Sequence, residues 1–461
     1  MCTVDFGNNI GVRNYMMKHV LYIIIFALLF LSHTAHAKTV SFYSAYLRAV
    51  QYDAQIKAAE AGHAAKKEEI GKARAKLRPS LQANAFQGRN ATESSTLSGS
   101  SNEFFYDTKR YSVTAKQPVF NMVSIAGYGL AKAEVKKSEA LLKKEQADLV
   151  LRTAEAYFNL LYAQDHLSFA KVRLHALKEQ LEQAKRRYKA GFGTITEINE
   201  VQAEHDMALA EELESANRID INRRKLENII GLYPAVPYRL VPEAMHLGIP
   251  EPQNVEDWIA QALLKNIELD ALHQDIAIAS KELDKQRYAA LPTIDLVAAK
   301  SYSESGNDYS IGSKYDTYSL NLQLNLPLYS GGYTSASVRQ AKLYRIAAYE
   351  QLSFQEREVA TAVREYYTGI EQSIARIHAY EQAVKSSEIA LTGTKRGYAA
   401  GMRSNVDVLN AVENVYLNKK NLVQAQYQYI LNHVYLKAAT GVLKDADVKA
   451  VDAFLRLPDK E

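Results

Sequence analysis

The chain has 461 residues, with 56 Lys and Arg against 52 Asp and Glu, a formal net charge of +4. So small an excess, with no basic run, excludes a nucleic-acid partner. The single cysteine, Cys2, lies ahead of the mature chain deduced below, so that chain has no disulfide, thiolate nucleophile or cysteine metal ligand.

Residues 1–37 read as a secretory signal peptide, whose true start is Met1, Met16 or Met17. Lys18 and His19 lead into the apolar run Val20–Leu31, followed by Ala35-His36-Ala37. A basic lead, an apolar stretch of about 12 residues and an A-x-A site define such a leader. The run falls short of the ~20 residues that span a bilayer. Cleavage after Ala37 leaves Lys38 as the first residue; an uncleaved anchor helix is the alternative. No later apolar run suffices for a membrane helix, so membrane contact would be peripheral or through β-strands.

A first structural repeat is expected over 38–230. It opens with a helix over 40–77, then strands at about 80–88 and 111–120 flank the polar stretch Arg89–Thr108, expected as a loop. A proline-free helix follows from about Val123 to Ala190. Its apolar residues recur at three- and four-residue steps (Leu149, Ala156, Leu160, Ala163, Leu167, Ala170, Leu174, Leu177, Leu181), which reads as coiled-coil packing. At 1.5 Å per residue such a helix extends on the order of 100 Å. A turn at Gly191 leads into a shorter helix over 194–230. The stretch 231–255 carries Pro234, Pro237, Pro242, Pro250 and Pro252 and suits an irregular equatorial linker.

The second repeat, 256–440, follows the same order. A helix over 256–290 precedes strands at about 293–303 and 318–328, with Glu304–Tyr315 expected as their loop. A second long helix runs from about Ser335 to Ala399, and a shorter one over 404–440. Residues 441–461 form a C-terminal equatorial tail. By length, two short helices end to end match one long helix. This suggests 194–230 with 256–290 along one, and 404–440 with 40–77 along the other.

Tyr318 to Leu328 alternates strictly, with Tyr318, Leu320, Leu322, Leu324, Leu326 and Leu328 separated by polar residues or proline. That period of two suits a membrane β-strand, with lipid on one side and water on the other. Phe104, Phe105, Tyr106, Phe120, Tyr302, Tyr309, Tyr315, Tyr318 and Tyr329 gather near strand ends, as interfacial aromatics do. An amphipathic sheet on a soluble core would alternate too, but no globular segment remains to supply that core. Four strands cannot close a membrane barrel, which takes at least about eight. Their edges must pair with other copies.

The halves are a tandem duplication. Tyr188-Lys-Ala-Gly191-Phe-Gly-Thr194-Ile-Thr196-Glu197 returns as Tyr398-Ala-Ala-Gly401-Met-Arg403-Ser404-Asn-Val-Asp407, and the register holds over half the chain. In each copy glycine suits a left-handed helix end. Thr194 and Ser404 are N-caps, with Glu197 and Asp407 three residues on as capping-box partners. Capping accounts for most of the motif, but not for Arg403 or for the tyrosine before each glycine.

With its leader, duplicated helix–strand–strand–helix order and the sequence Tyr398-x-x-Gly401-x-Arg403-Ser404-x-x-Asp407-Val408-Leu409, the chain resembles the TolC family of outer-membrane efflux and type I secretion proteins. The resemblance covers the whole mature chain. It implies a mainly α protein with a β-barrel portion. A homotrimer would close a twelve-stranded barrel in the outer membrane of a Gram-negative cell, among outer-membrane lipids, above an α-helical duct crossing the periplasm. It further implies a passive exit channel. Its partners would be a periplasmic membrane-fusion adaptor, docking at the hairpin turns of Gly191, Thr194, Gly401 and Ser404, and an inner-membrane ABC exporter or proton-driven pump. Asp407 would belong to an acidic ring in the pore. Tyr398 and Arg403 would tie the second hairpin to the first near Thr196 and Glu197, holding a periplasmic gate closed. The family's second acidic position is Asn410 here, which weakens that ring. A soluble periplasmic coiled-coil adaptor without a barrel is the rival reading.

An enzyme is not expected, nor a cofactor. His63, His166, His175, His205, His246, His273, His378 and His433 show no metal-ligand spacing, and there is no phosphate-binding glycine loop.

Overall fold

The computed structural model describes residues 39–95, 97, 99, 101–234, 236–308 and 311–456. The leader expected at 1–37, Tyr309 and the last five residues of the tail lie outside the described residues. In chain order the elements are β1 (Thr39–Val40), α1 (Phe42–Tyr52), α2 (Ala54–Ala75), β2 (Ser80–Ser95), β3 (Ser101–Phe120), α3 (Met122–Lys189) and α4 (Ile195–Ile230). After the equatorial strands β4 (Val236–Pro237) and β5 (Arg239–Leu240) come α5 (Val255–Lys265), α6 (Ile267–Tyr288), β6 (Thr293–Asp308) and β7 (Ile311–Asn325). The chain ends with α7 (Tyr333–Ala399), α8 (Asn405–Ala439), α9 (Asp445–Val451) and β8 (Leu455–Arg456).

The sheet order β2-β3-β6-β7 continues into the helices that prolong the strands. α2 packs on α3, α3 on α6 and α6 on α7, so one four-element wall runs unbroken from sheet to helix layer. Leu81, Ala115, Ala298 and Leu320 lie in one row straight across the four strands. Because opposed residues share a face, this face carries Leu296, Leu322 and Leu324 as well, while the other carries Gln82, Thr114, Asn321 and Gln323. On the apolar face Leu320, Leu322 and Leu324 are 71%, 69% and 63% exposed. They have no core to enter. Among the described residues no helix is long and apolar enough to cross a membrane.

Several boundaries differ from the sequence expectation. Ladder pairing reaches Ser95 opposite Ser101, and Ser305 opposite Ser313. Most of the two expected loops is therefore strand, joined across by Asn90 Nδ2 donating to Thr108 Oγ1 at 2.7 Å. β7 stops at Asn325, opposite the first residue of β6; Pro327 beyond it has no N–H to pair.

Each expected short helix before a strand is two helices. Asp53 caps α2 by accepting from the Ile56 N–H and is clamped by Arg152 Nη1 at 3.0 Å. Asn266 caps α6 by accepting from the N–H groups of Glu268 and Leu269. The end-to-end stacks also differ. α8 abuts α6, where Asn266 Nδ2 donates to the Ala439 carbonyl at 2.7 Å. Gly231, ending α4, lies against the ring of Tyr52, which precedes α2. α6 and α8 thus fill one groove beside α3, above and below the equator, and α2 and α4 follow the other.

The main core sits at this equator. Phe42, Tyr157 and Phe158 are buried there, and Tyr157 Oη donates to the Val40 carbonyl at 3.0 Å while accepting from the Tyr238 N–H. Short pairings of β1 with β4 and β5 with β8, together with α9, wrap it as a belt. α9 falls within the expected C-terminal equatorial tail.

Candidate functional site at the hairpin turns

The two turns are built alike. Gly191 (φ 79°) and Gly401 (φ 77°) follow the helix ends in the left-handed region. Gly191 N–H donates to the Tyr188 carbonyl and Phe192 N–H to that of Arg187; Gly401 and Met402 repeat the pattern with Tyr398 and Gly397. These paired bonds satisfy carbonyls that would otherwise face solvent unpaired. Thr194 Oγ1 then accepts from Glu197 N–H at 3.2 Å, and Ser404 Oγ from Asp407 N–H at 3.1 Å. Such caps contribute about 1 kcal/mol each. The box closes fully only in the second turn, where Ser404 N–H donates to Asp407 Oδ2 at 2.9 Å. That bond, with Arg403 nearby, holds the Asp407 carboxyl below its usual range.

Tyr398 is 2% exposed, and its ring lies under the guanidinium of Arg187, 4.7 Å away on the first hairpin. Burial pushes its phenol up, the charge of Glu197 adds to this, and Arg187 opposes it. Tyr398 Oη and Glu197 Oε2 are both buried without a hydrogen-bond partner among the described residues. The structure therefore brings Tyr398 to Glu197's hairpin. Arg403 stays on its own hairpin, exposed, with its side chain across Gly397, where a Cβ would lie 2.8 Å from Arg403 Cγ. Among the described residues it makes no ion pair with Glu197. Thr196 and Asn410 are exposed.

Sequence reading missed the links that join the hairpins. Gln180 Nε2 donates to Asn405 Oδ1 at 2.8 Å in a buried setting. Further along, Arg173 pairs with Glu211 at 2.7 Å, Glu413 at 2.8 Å and Glu204 at 3.3 Å. Tyr416 Oη donates to Glu211 Oε1 at 2.5 Å and lies 3.0 Å from His166 Nε2. These partners are more than 200 residues apart in several cases, so no local pattern announces them. Among the described residues no group of His, Cys, Asp or Glu is placed to hold a metal.

The profile of the outer membrane efflux protein family matches residues 45–232 and 258–442, one stretch in each half. The chain is 31% identical over 413 residues to the alkaline protease secretion protein AprF of Pseudomonas aeruginosa, covering 88% of this chain and 86% of that one. It is 30% identical over 408 residues to the outer membrane protein TolC of Escherichia coli, covering 85% and 80%. Its fold superposes on the outer membrane protein VceC of Vibrio cholerae with a TM-score of 0.72 at 20% identity, covering 87% and 96%. With the CusC channel the TM-score is 0.74 at 15% identity, covering 87% and 92%.

Proposed function

Because the chain belongs to the outer membrane efflux protein family, we propose that its two hairpins are the gate of an export duct and that Tyr398, Arg403, Asp407 and Glu197 work it. The protein is an outer-membrane exit channel of a Gram-negative cell and acts within an export machinery. Its relatives are named as outer membrane and protease secretion proteins, which favours this reading over the soluble adaptor. The observation that carries the channel reading is the sheet whose apolar face is bare and whose strand order continues into the helical wall.

The finer assembly rests on the open edges. Among the described residues β2 and β7 each pair on one side only, and closure with two further copies would give a homotrimeric barrel of twelve strands. In that trimer three copies of Asp407 would line one level of the entrance, with Asn410 adding no charge beside them. The unpaired Tyr398 Oη and Glu197 Oε2 mark where the second hairpin would hold to the first. An adaptor would dock on the turns of Gly191, Thr194, Gly401 and Ser404, where Phe192 and Met402 are each 77% exposed. The energy source would be an inner-membrane ABC exporter or a proton-driven pump. Two relatives are named for protease secretion, AprF and the PrtF protein of Dickeya chrysanthemi, and this favours a polypeptide cargo. The chain itself would be a passive conduit with no catalytic step.

The experiment is single-channel conductance of the purified trimer in planar bilayers, comparing wild type with the double variant Tyr398→Phe, Arg403→Ser. A small conductance that rises several-fold in the double variant is expected. Equal conductance in both would remove the gate role of these residues.

A further inference from the structure

Below the equator the second hairpin touches the first mainly through α8 against α3, and the chemistry of that seam changes along its length. The main core reaches down α3 to Ala163 and starts on α8 at Ala425, while a small separate cluster of Leu181, Ala184 and Val201 sits near the turn. Between the two lies the polar cluster around Arg173. From Asn405, the first residue of α8, to Glu413 is eight residues, about 12 Å along the helix.

Its connectivity is uneven. Arg173 on α3 is held by Glu204 and Glu211 of α4, so three of the participants belong to the first hairpin. Only Glu413 and Tyr416 come from the second. Glu413 is a third carboxylate facing one guanidinium. Burial pushes its carboxyl up, against the pull of Arg173, and the charges of Glu211 and Glu204 add to this. Tyr416 stacks 5.3 Å from Arg173 while its hydroxyl donates to Glu211. His166 is oriented by Ser215 of α4, with 2.8 Å between Nδ1 and Oγ. When α8 withdraws, Arg173 keeps both α4 carboxylates and His166 keeps Ser215. Neither is stranded as an uncompensated buried group, the outcome that makes breaking most buried pairs costly.

We propose that the Arg173–Glu413 and Tyr416–Glu211 contacts form a second, releasable latch between the hairpins, so that the duct entrance is held closed at two heights rather than at the turn alone. Arg173 is its positioning residue, and Glu413 and Tyr416 are the parts that let go. The latch rests on the gate reading above.

The test uses the trimer in planar bilayers, with Tyr416→Phe, Glu413→Ala and Arg403→Ser made singly and Tyr416→Phe, Glu413→Ala combined with Arg403→Ser. Tyr416→Phe keeps the ring and its stacking on Arg173 and removes only the hydroxyl, with its contacts to Glu211 and His166. Conductance of the two latch variants should exceed wild type. Their combination with Arg403→Ser should open the channel more than the separate effects together, with the melting temperature of the trimer little changed by Tyr416→Phe. If Arg403→Ser opens the channel while the latch variants conduct as wild type in both backgrounds, the latch is wrong and the gate stands. If Arg403→Ser and the latch variants are all silent, or no channel forms, gate and latch fall together.

Discussion

Four glycines at equivalent points of the two halves separate strain from crowding. Gly191 and Gly401 have left-handed backbone but open space where a Cβ would go. Gly401→Ala therefore incurs only conformational strain, roughly 1–2 kcal/mol. Gly231 and Gly441 have the same hand of backbone, yet a Cβ would fall 2.3 Å from the Tyr52 ring and 2.1 Å from the Lys265 carbonyl oxygen. The second obstacle is rigid backbone, so Gly441→Ala should lower the apparent Tm of the trimer well beyond Gly401→Ala. Equal losses would mean that the helix stack at the equator can part without cost. A second residue-scale expectation concerns His433, whose ring meets Tyr429 edge-on at 4.6 Å and whose Nε2 is buried without a partner among the described residues. Burial, with Lys437 nearby, pushes its imidazole down to about 4 from 6.5. The unfolded chain then binds the proton more readily, so stability is complete above about 6.5 and is lost as pH falls from there toward 4. His433→Gln should flatten that acid limb of the melting profile, and an unchanged limb would place the titrating group elsewhere.

At the scale of elements, what was legible in the sequence had a period or a cap. Both long helices follow from proline-free three- and four-residue spacing, and both turns from glycine followed by Thr or Ser. The breaks at Asp53 and Asn266 carry cap residues too, but sit inside runs whose composition is helical on either side. Which short helix stacks on which was not legible, because it depends on contacts such as Asn266 to Ala439 across 173 residues. The strand lengths were underestimated for a related reason. Ser, Thr and Asn next to a hairpin read as loop until cross-strand partners such as Asn90 and Thr108 are known. The break at Asp53 also makes a prediction. Burial by itself would raise this carboxyl, yet Arg152 and the Ile56 N–H outweigh that and hold it low. Arg152→Ala would leave a buried charge whose remaining support is the helix cap, and removing one partner of such a pair costs about 3–5 kcal/mol. The loss should appear as an earlier denaturation midpoint that moves further as pH rises above the carboxylate range, where the unpaired charge is fully developed. A pH-independent loss would assign the effect to packing of the arginine stem.

For the whole molecule, the sheet sets the terms. Among the described residues its leucine face covers nothing and its two edges are unpaired, which supports the proposed closure of copies around an axis with that face turned to lipid. The helices inherit their order from the strands, which makes the periplasmic wall and the barrel one continuous surface rather than two joined domains. The same continuity explains why the contacts of the proposed gate residues were only half visible in sequence. Capping fixes Gly191, Thr194, Gly401 and Ser404 locally, whereas Tyr398 meets Arg187 only because α3 and α7, on either side of α6 in the wall, come together at the turns. Neighbouring residues of β7 offer the sharpest test of this orientation. Leu322→Lys would set a charge on the lipid face, which costs about 2–4 kcal/mol near the bilayer midplane. Asn321→Lys puts the same side chain on the polar face, where water solvates it. The first should reduce the yield of heat-stable trimer recovered from outer membranes, while the second should assemble normally and alter only ion selectivity in bilayers. If the two behaved alike, the leucine face would not meet lipid, and the sheet would have to close the other way around.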